Sequence, residues 1–247
     1  MTVLDLAPQT TTDGLVLGGR FRLEQPIGPV GPAQLWRAMD VVLRRPVTVH
    51  MLPAWTPVPG LAAAVQAAAG VSDTRLTTVF DACYDPERPY LVSEWAADPT
   101  LDQWLTTGLP DPGLAAHIVA EAAHAVAAAH ARTRPHLRLD LNHLHWGTSG
   151  LKITGLGIDA ALSGAGSPDP AAADTVALAR ILYTLLTGYW PSDRAAAGAP
   201  CEPRELRAAV PIRLNAIACH ALPAWGTPSI CHPAQLSAAL RAEANGV

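Results

Sequence analysis

Residues 174–188 of this 247-residue chain read DTVALARILYTLLTG, and the assignment of the fold rests most heavily on this stretch. Its aliphatic residues recur at the spacing of a buried helix. Asp174 is a suitable N-cap at the start of the stretch, and Gly188 is a suitable stop at its end. The stretch therefore predicts a helix over residues 174–188.

Other helices are predicted on both sides of this segment. A short helix is expected at 100–105 and a long Ala-rich helix at 112–131. Three segments lie between the long helix and the central helix: a His- and Arg-rich loop at 136–145, a hairpin at 151–158 and a flexible Gly- and Pro-rich piece at 164–173. Three further helices, at 202–208, 211–221 and 233–244, complete the chain. The second part of the chain is thus predicted to be mostly helical.

The first part has a different character. Alternation of apolar and polar residues predicts strands at 15–23, 33–39, 45–52, 76–84 and 89–95, with a Gly/Pro turn at 27–32 and one helix at 61–70. A β-rich front followed by a helical back is typical of a two-lobe α+β fold. We expect a flexible N-terminal tail at 1–14, a β-rich lobe at 15–95, a helical lobe at 96–243 and a C-terminal tail at 244–247.

Composition excludes several classes of protein. A net charge of −4 and only 17 basic residues argue against a nucleic-acid-binding protein. The four cysteines are far apart and predict reduced thiols, with no metal site. The first residues lack the features of a signal peptide, and the longest apolar stretch, 114–131, is too polar to span a membrane. We therefore expect a cytoplasmic domain that does not cross the membrane.

The order of these segments resembles a bacterial protein-kinase-like domain over residues 15–242. IGPVGPAQLWRA at 27–38 is similar to a Gly-rich loop with its second strand, PVTVHML at 46–52 to the third strand, and PYLVSEW at 89–95 to the strand that enters the hinge. The catalytic loop of a kinase is resembled by HLRLDLNHLH at 136–145, and its Asp-Phe-Gly stretch by LKITGLGI at 151–158. The central helix of the C-lobe is resembled by DTVALARILYTLLTG. The resemblance implies a protein-kinase-like two-lobe fold.

The resemblance also locates the positions at which a kinase carries its catalytic groups, and the residues there differ. Phosphoryl transfer needs cations on the phosphates and a carboxylate near the attacking hydroxyl. In this chain His50 replaces the strand lysine, and Arg138 replaces the catalytic base. In the catalytic loop, Asp140 replaces the lysine and His143 replaces the Mg²⁺-binding asparagine. Gly155 replaces the aspartate of Asp-Phe-Gly. Lys152 is the only lysine, and Ala64 takes the place of the glutamate that would pair with a strand lysine. The resemblance therefore implies a catalytically inactive pseudokinase.

The same alignment implies a vestigial nucleotide cleft, formed by Gly28, Gly31, Leu35, Thr48, Ser93, Glu94 and His145. Two of the glycines of the Gly-rich loop are replaced by Val30 and Ala33. Thr48 and His145 place polar groups where an adenine ring would need apolar ones, which carries a desolvation cost. We therefore expect no cofactor and no metal. Three residues keep roles by resemblance: Asp174 supports the backbone of the catalytic loop, while His136 and Leu156 belong to the hydrophobic column that links the lobes.

The finer resemblance is to the pseudokinase domain that actinobacteria attach to the lipid II flippase. It implies a cytoplasmic signalling scaffold in the control of peptidoglycan synthesis. Its partners by resemblance are an active Ser/Thr kinase, a forkhead-associated protein that reads phosphothreonine, and a membrane flippase. Candidate phosphorylation sites are Thr10, Thr11, Thr12, Ser163 and Ser167, which are otherwise ordinary linker hydroxyls. Two alternatives stay open: a noncanonical transferase that holds an anion between Arg138, His50 and His143, and a structural partner without a ligand.

Overall fold

The computed structural model describes residues 14–54, 58–191 and 201–244. Within these residues the chain forms two compact units. The first contains the described residues up to 54 together with 79–95, and the second contains 58–78 and everything from residue 96 onward. The segment 58–78 thus belongs to the helical unit, whereas the predicted β-rich lobe spanned 15–95 without interruption.

The first unit is an antiparallel sheet with the strand order β1-β2-β3-β4-β6-β5. Its strands, as described, are β1 (Val16–Leu17), β2 (Phe21–Val30), β3 (Ala33–Asp40), β4 (Arg45–Met51), β5 (Val79–Cys83) and β6 (Tyr90–Glu94). One face is buried by the side chains of Phe21, Leu23, Trp36, Ala38, Val47, Val49 and Val92. Alternate residues of β4 point into this core, as its period-two pattern predicted.

The predicted turn at 27–32 is too long. Strand β2 continues to Val30, and only Gly31 and Pro32 connect it to β3, with Gly31 in the left-handed region at φ 54°. Strand β1 pairs with Phe21 and Arg22, and Gly14 and Leu15 bond to the backbone of Leu23. Among the described residues, the second half of β2 is therefore a sheet edge. Proline is tolerated there because its missing N–H is not needed for a ladder, and irregularities in the register accommodate Pro26.

The second unit is built from helices and one hairpin. Its described elements are α1 (Leu61–Ala69), α2 (Leu101–Leu105), α3 (Pro112–His130), β7 (Leu144–Gly147), β8 (Gly150–Ile153), α4 (Ile158–Ser163), α5 (Pro170–Thr187), α6 (Pro203–Leu206), α7 (Ile212–Ala221), a 3₁₀ turn at Pro223–Trp225 and α8 (Pro233–Ala244). Helix α3 packs against α5 and α8. Its buried face is mostly alanine, which allows neighbouring helices to approach closely.

Three predictions about this unit need correction. Helix α5 begins at Pro170, and its N-cap is Asp169, whose carboxylate accepts a hydrogen bond from the Ala172 N–H. Asp174 therefore lies inside the helix and is not its N-cap, and the end of the supposedly flexible piece 164–173 is helical. The hairpin spans β7 and β8, earlier than predicted, because Gly155 and Gly157 take left-handed conformations and lead into α4. Gly188 ends α5 with φ 82°, as predicted.

Segment 58–78 is fastened to the helical unit by its own hydrogen bonds. The backbone of Arg75 and Thr77 pairs with Ile153 of β8. The Arg75 side chain bridges Asp73 to Glu121 of α3, and Arg132 donates to the carbonyl oxygen of Gly70. Helix α1 contacts α4 and contains no acidic residue.

Candidate functional site

Asp174 organises the loop at residues 136–143, which we call the catalytic-type loop. Its carboxylate, fully buried in α5, accepts hydrogen bonds from the backbone N–H groups of His136 at 2.8 Å and Leu137 at 2.7 Å. His130 of α3 is a third partner, with its Nε2 2.8 Å from the same carboxylate. These bonds hold Leu137 at φ 63°, a conformation that costs a residue with a side chain about 1–2 kcal/mol. The structure thus confirms the predicted supporting role of Asp174.

The His136 ring is locked in one neutral tautomer. Its Nε2–H donates to the carbonyl oxygen of Thr154, and its Nδ1 accepts from the Arg138 N–H. The ring is completely buried, and this burial, together with the positive charge of the neighbouring His143, lowers the pKa of His136 to about 4. The two imidazoles meet edge to face, with ring centroids 5.1 Å apart. His136 therefore joins the catalytic-type loop to the strand end before Gly155.

His143 lies between two carboxylates. Its Nδ1 is 2.7 Å from Oδ1 of Asp140, and its Nε2 is 3.2 Å from Oδ2 of Asp159. We call these three residues the Asp–His–Asp clamp. Burial disfavours the charged imidazole, but the hydrogen bonds and charges of the two aspartates outweigh this and raise the pKa of His143 to about 9. At neutral pH, His143 is an imidazolium that donates from both nitrogens.

The position of Gly155 explains how Asp159 reaches this clamp. Gly155 has φ 77°, and a Cβ atom there would lie 2.6 Å from Oδ2 of Asp159. The carboxylate of Asp159 therefore occupies the volume into which a side chain at position 155 would extend. Sequence reasoning missed Asp159. The available signal was an aspartate four residues after Gly155, in the first turn of a helix that was not predicted.

A metal ion does not fit the residues of this site. Magnesium prefers oxygen ligands in octahedral geometry. At the two positions where the kinase resemblance places metal ligands, the chain has glycine and an imidazolium whose nitrogens both carry protons. Within the described ranges, no group of three or more His, Cys, Asp or Glu residues could hold a metal ion.

Arg138, at the position of the catalytic base, projects to the surface of the helical unit. Its guanidinium makes no hydrogen bond or ion pair with any described residue. It lines a cavity of about 520 Å³ formed by the catalytic-type loop, the turn at 167–169 and the first turns of α5. Asp140 borders the same cavity, but its carboxylate is engaged by His143. Although burial opposes ionisation, that hydrogen bond lowers the pKa of Asp140.

Several residues of the predicted cleft lie together on the sheet. Leu35 pairs with His50, and Thr48 pairs with Ser93. Because Thr48 and His50 are two residues apart on β4, these four side chains share one face, opposite the buried Val47. Gly28 pairs with Leu35, and Gly31 forms the turn that follows β2. Glu94 pairs with Val47 and thus belongs to the other face.

The remaining predicted cleft residue, His145, lies in β7 of the helical unit. Its Nδ1–H donates to the backbone carbonyl of Asp98 at 2.8 Å, and burial lowers its pKa. Lys152 pairs with His145 across the hairpin and is half-buried. Ser163 donates to the carbonyl oxygen of Asp159, and Ser167 exchanges hydrogen bonds with the backbone of Asp169. The candidates Thr10, Thr11 and Thr12 lie outside the described residues.

Comparison with known proteins agrees with this architecture. The chain is 25% identical over 210 residues to the serine/threonine-protein kinase PrkC of Bacillus subtilis, covering 73% of this chain and 32% of that protein. The chain thus matches about a third of the length of this relative. Its structure superposes on Rad53 1–466 in complex with AMP-PNP with a TM-score of 0.72 at 15% identity, covering 91% of this chain and 65% of the other. No protein-family sequence model matches the chain.

These likenesses confirm the predicted fold class: a protein-kinase-like fold with a β-rich N-terminal sheet and a helical C-terminal region. The similarity to a serine/threonine kinase is distant. None of the described helices is long and apolar enough to cross a membrane.

Proposed function

We propose that this chain is a pseudokinase, a protein-kinase-like domain that does not transfer phosphate and acts through protein binding. The observation that carries the proposal is the Asp–His–Asp clamp. In a kinase, magnesium at this place neutralises the charge that develops on the transferred phosphoryl group. Here the two carboxylates are already paired with a proton-bearing imidazole, and no side chain at position 155 is available as a ligand.

The chemistry of Arg138 supports the same conclusion. A general base must accept the proton of the attacking hydroxyl, and a guanidinium stays protonated at every accessible pH. His50 on β4 replaces a permanently charged lysine with a buried imidazole. Loss of a single electrostatic group at a catalytic site costs several kcal/mol of barrier, so the combined losses leave no efficient route for phosphoryl transfer. The relative PrkC is named as a kinase, and the proposal is that this chain has kept the fold without the chemistry.

A transfer assay tests the proposal. We expect no labelling of the chain or of casein with radioactive ATP and either Mg²⁺ or Mn²⁺, while an active Ser/Thr kinase labels casein in parallel. The matched control is Arg138→Ala, which should show the same background. ATP-dependent mass gain of one phosphoryl group in the wild type, abolished by His50→Ala, would show that the chain is a kinase after all.

A thermal-shift titration separates loss of transfer from loss of nucleotide binding. A ligand that binds only the folded state must raise its apparent stability. We expect ATP with Mg²⁺ to leave the melting temperature unchanged. The alternative function, a noncanonical transferase, requires a shift with nucleotide. That transferase needs His143 to help hold an anion, but both nitrogens of the ring face carboxylates.

For its biological role, we propose that the chain is a cytoplasmic scaffold in the control of peptidoglycan synthesis. An active Ser/Thr kinase phosphorylates it, and it then binds a forkhead-associated protein. A membrane flippase is a further partner in this proposal. This rests on the resemblance of its sequence motifs. The test is a pull-down of a phosphothreonine-reading domain before and after incubation with a kinase, combined with mass mapping of Thr10, Thr11, Thr12, Ser163 and Ser167. Equal capture in both states would contradict the proposal.

A further inference from the structure

The cavity beside Arg138 plays no part in the argument for lost catalysis, and it has the size of a ligand site. At about 520 Å³ it falls within the range of small binding pockets. Aliphatic side chains line much of it, on the catalytic-type loop and on α5: Leu137, Leu139, Ala172, Ala173, Val176 and Ala177. The cavity lies entirely within the helical unit. The connection 158–169 between Gly157 and α5 is short, and it gives the described part of the chain no long segment to cover the cavity.

The charged side chains around the cavity differ in whether they have hydrogen-bond or ion-pair partners within the described part of the chain. Three carboxylates line it, and each has donors of its own. Asp140 accepts from His143, Asp169 accepts from the Ala172 N–H, and Asp174 accepts from the catalytic-type loop backbone. The exposed guanidinium of Arg138 has no such partner among the described residues. The cavity therefore offers an unmatched cation beside an aliphatic surface, with Arg180 lining the same cavity.

We propose that this cavity docks an acidic segment of a partner protein. A glutamate or aspartate carboxylate of the partner binds the Arg138 guanidinium in a bidentate pair, and an adjacent aliphatic side chain packs on Leu137 and Val176. This docking surface adds detail to the proposed scaffold function. It rests on that function in one respect, because the bound segment is taken to be a partner and not a substrate.

The chemistry favours a carboxylate over a phosphate. The planar guanidinium fork matches two carboxylate oxygens and forms charge-assisted hydrogen bonds with both. A phosphate dianion would bring a second negative charge into a cavity that already contains the carboxylates of Asp140, Asp169 and Asp174. The aliphatic lining adds affinity for a neighbouring side chain by burying apolar surface.

Selection from a phage-displayed random peptide library tests the proposal. We expect the wild type to enrich peptides with Glu or Asp next to Leu, Ile or Val, and Arg138→Ala to lose this enrichment. An enriched peptide, labelled with fluorescein, should bind the Arg138→Ala protein at least tenfold more weakly by anisotropy, since a hydrogen-bonded charge pair is lost. Arg213→Ala is the matched control, because it removes another exposed arginine, on α7, and should bind like the wild type.

Two peptide variants define the ligand chemistry. Replacing the acidic residue with its amide should abolish binding, and replacing it with phosphoserine should weaken it. Arg138→Ala should keep the wild-type melting temperature, because the guanidinium makes no hydrogen bond or ion pair with any described residue. Absence of acidic enrichment, or equal affinity of the Arg138→Ala and Arg213→Ala proteins, would overturn the docking proposal. Phosphorylation of the bound peptide on addition of ATP and Mg²⁺ would instead overturn the scaffold proposal and leave the docking surface standing.

Discussion

The Asp–His–Asp clamp makes the stability of the protein depend on pH in a direction that can be worked out. The pKa of His143 is about 9 in the folded protein and 6.5 in the unfolded chain. A raised pKa means that the folded state binds the proton more tightly, so the stabilisation is fully present below pH 6.5 and is lost as pH rises through about 9. Since one pKa unit equals about 1.4 kcal/mol, the total is about 3 kcal/mol.

Other titrating groups act outside this window. The pKa of His136, about 4 when folded, contributes stability that is present above pH 6.5 and lost as pH falls through about 4. Burial raises the pKa of the Cys219 thiol to about 11, so its neutral form stabilises the fold below pH 9, and this contribution is lost as pH rises toward 11. Between pH 6.5 and 9 the change therefore belongs mainly to His143.

Urea unfolding measures this contribution. We expect the free energy of unfolding of the wild type to fall by about 2–3 kcal/mol from about pH 6.5 to about pH 9. His143→Asn should make the profile nearly flat, and Asp159→Asn should reduce its slope because one of the two carboxylates that raise the pKa is removed. His220→Asn is the matched control, since it removes an exposed histidine on α7 and should keep the wild-type slope. If the wild type and His143→Asn have parallel profiles, His143 is not held as a charged group and the clamp as described is wrong.

Two further substitutions test the contacts around the clamp. Asp174→Ala should lower the free energy of unfolding by about 3 kcal/mol or more, measured in urea, because it leaves the buried N–H group of His136 and the partly buried N–H group of Leu137 without acceptors; an effect below about 1 kcal/mol would mean that the loop does not depend on it. Gly155→Ala should cost about 2 kcal/mol, from the left-handed φ and the collision with Asp159. In an Asp159→Ala background the same change should cost about 1 kcal/mol less, and equal costs in both backgrounds would show that the two residues are not in contact.

The sequence predicted the fold class because the elements with strong local signals also occur in the expected order. Helix α5 is one example: its aliphatic pattern and Gly188 are local features that tertiary structure did not override. The boundaries were less predictable. Asp174 has the chemistry of an N-cap, but Asp169 and Pro170 start the helix earlier. The predicted role of Asp174 in supporting the catalytic-type loop came from the kinase resemblance, not from a local signal, and the structure confirms it.

The candidate site was predictable in position but not in chemistry. The alignment located His143 and Gly155 as departures from the kinase pattern, but it predicted no contact that links them. The link between them is Asp159, which fills the space at Gly155 and completes the partners of His143. This link depends on the left-handed turn at 155–157 and on α4, neither of which has a strong periodic signal in six residues. A through-space contact of this kind is not expressed in sequence spacing.

The clamp also explains how such a loop can keep its conformation without a ligand. Two carboxylates brought close together repel each other unless a cation lies between them, and in a metal-dependent site that cation arrives with the ligand. Here the cation is the imidazolium of His143, which is part of the chain. With Asp174 holding the loop backbone, the two carboxylates of the clamp have their cation within the protein itself. The surface that carries Arg138 is thereby fixed without nucleotide or metal, which is what a docking surface requires.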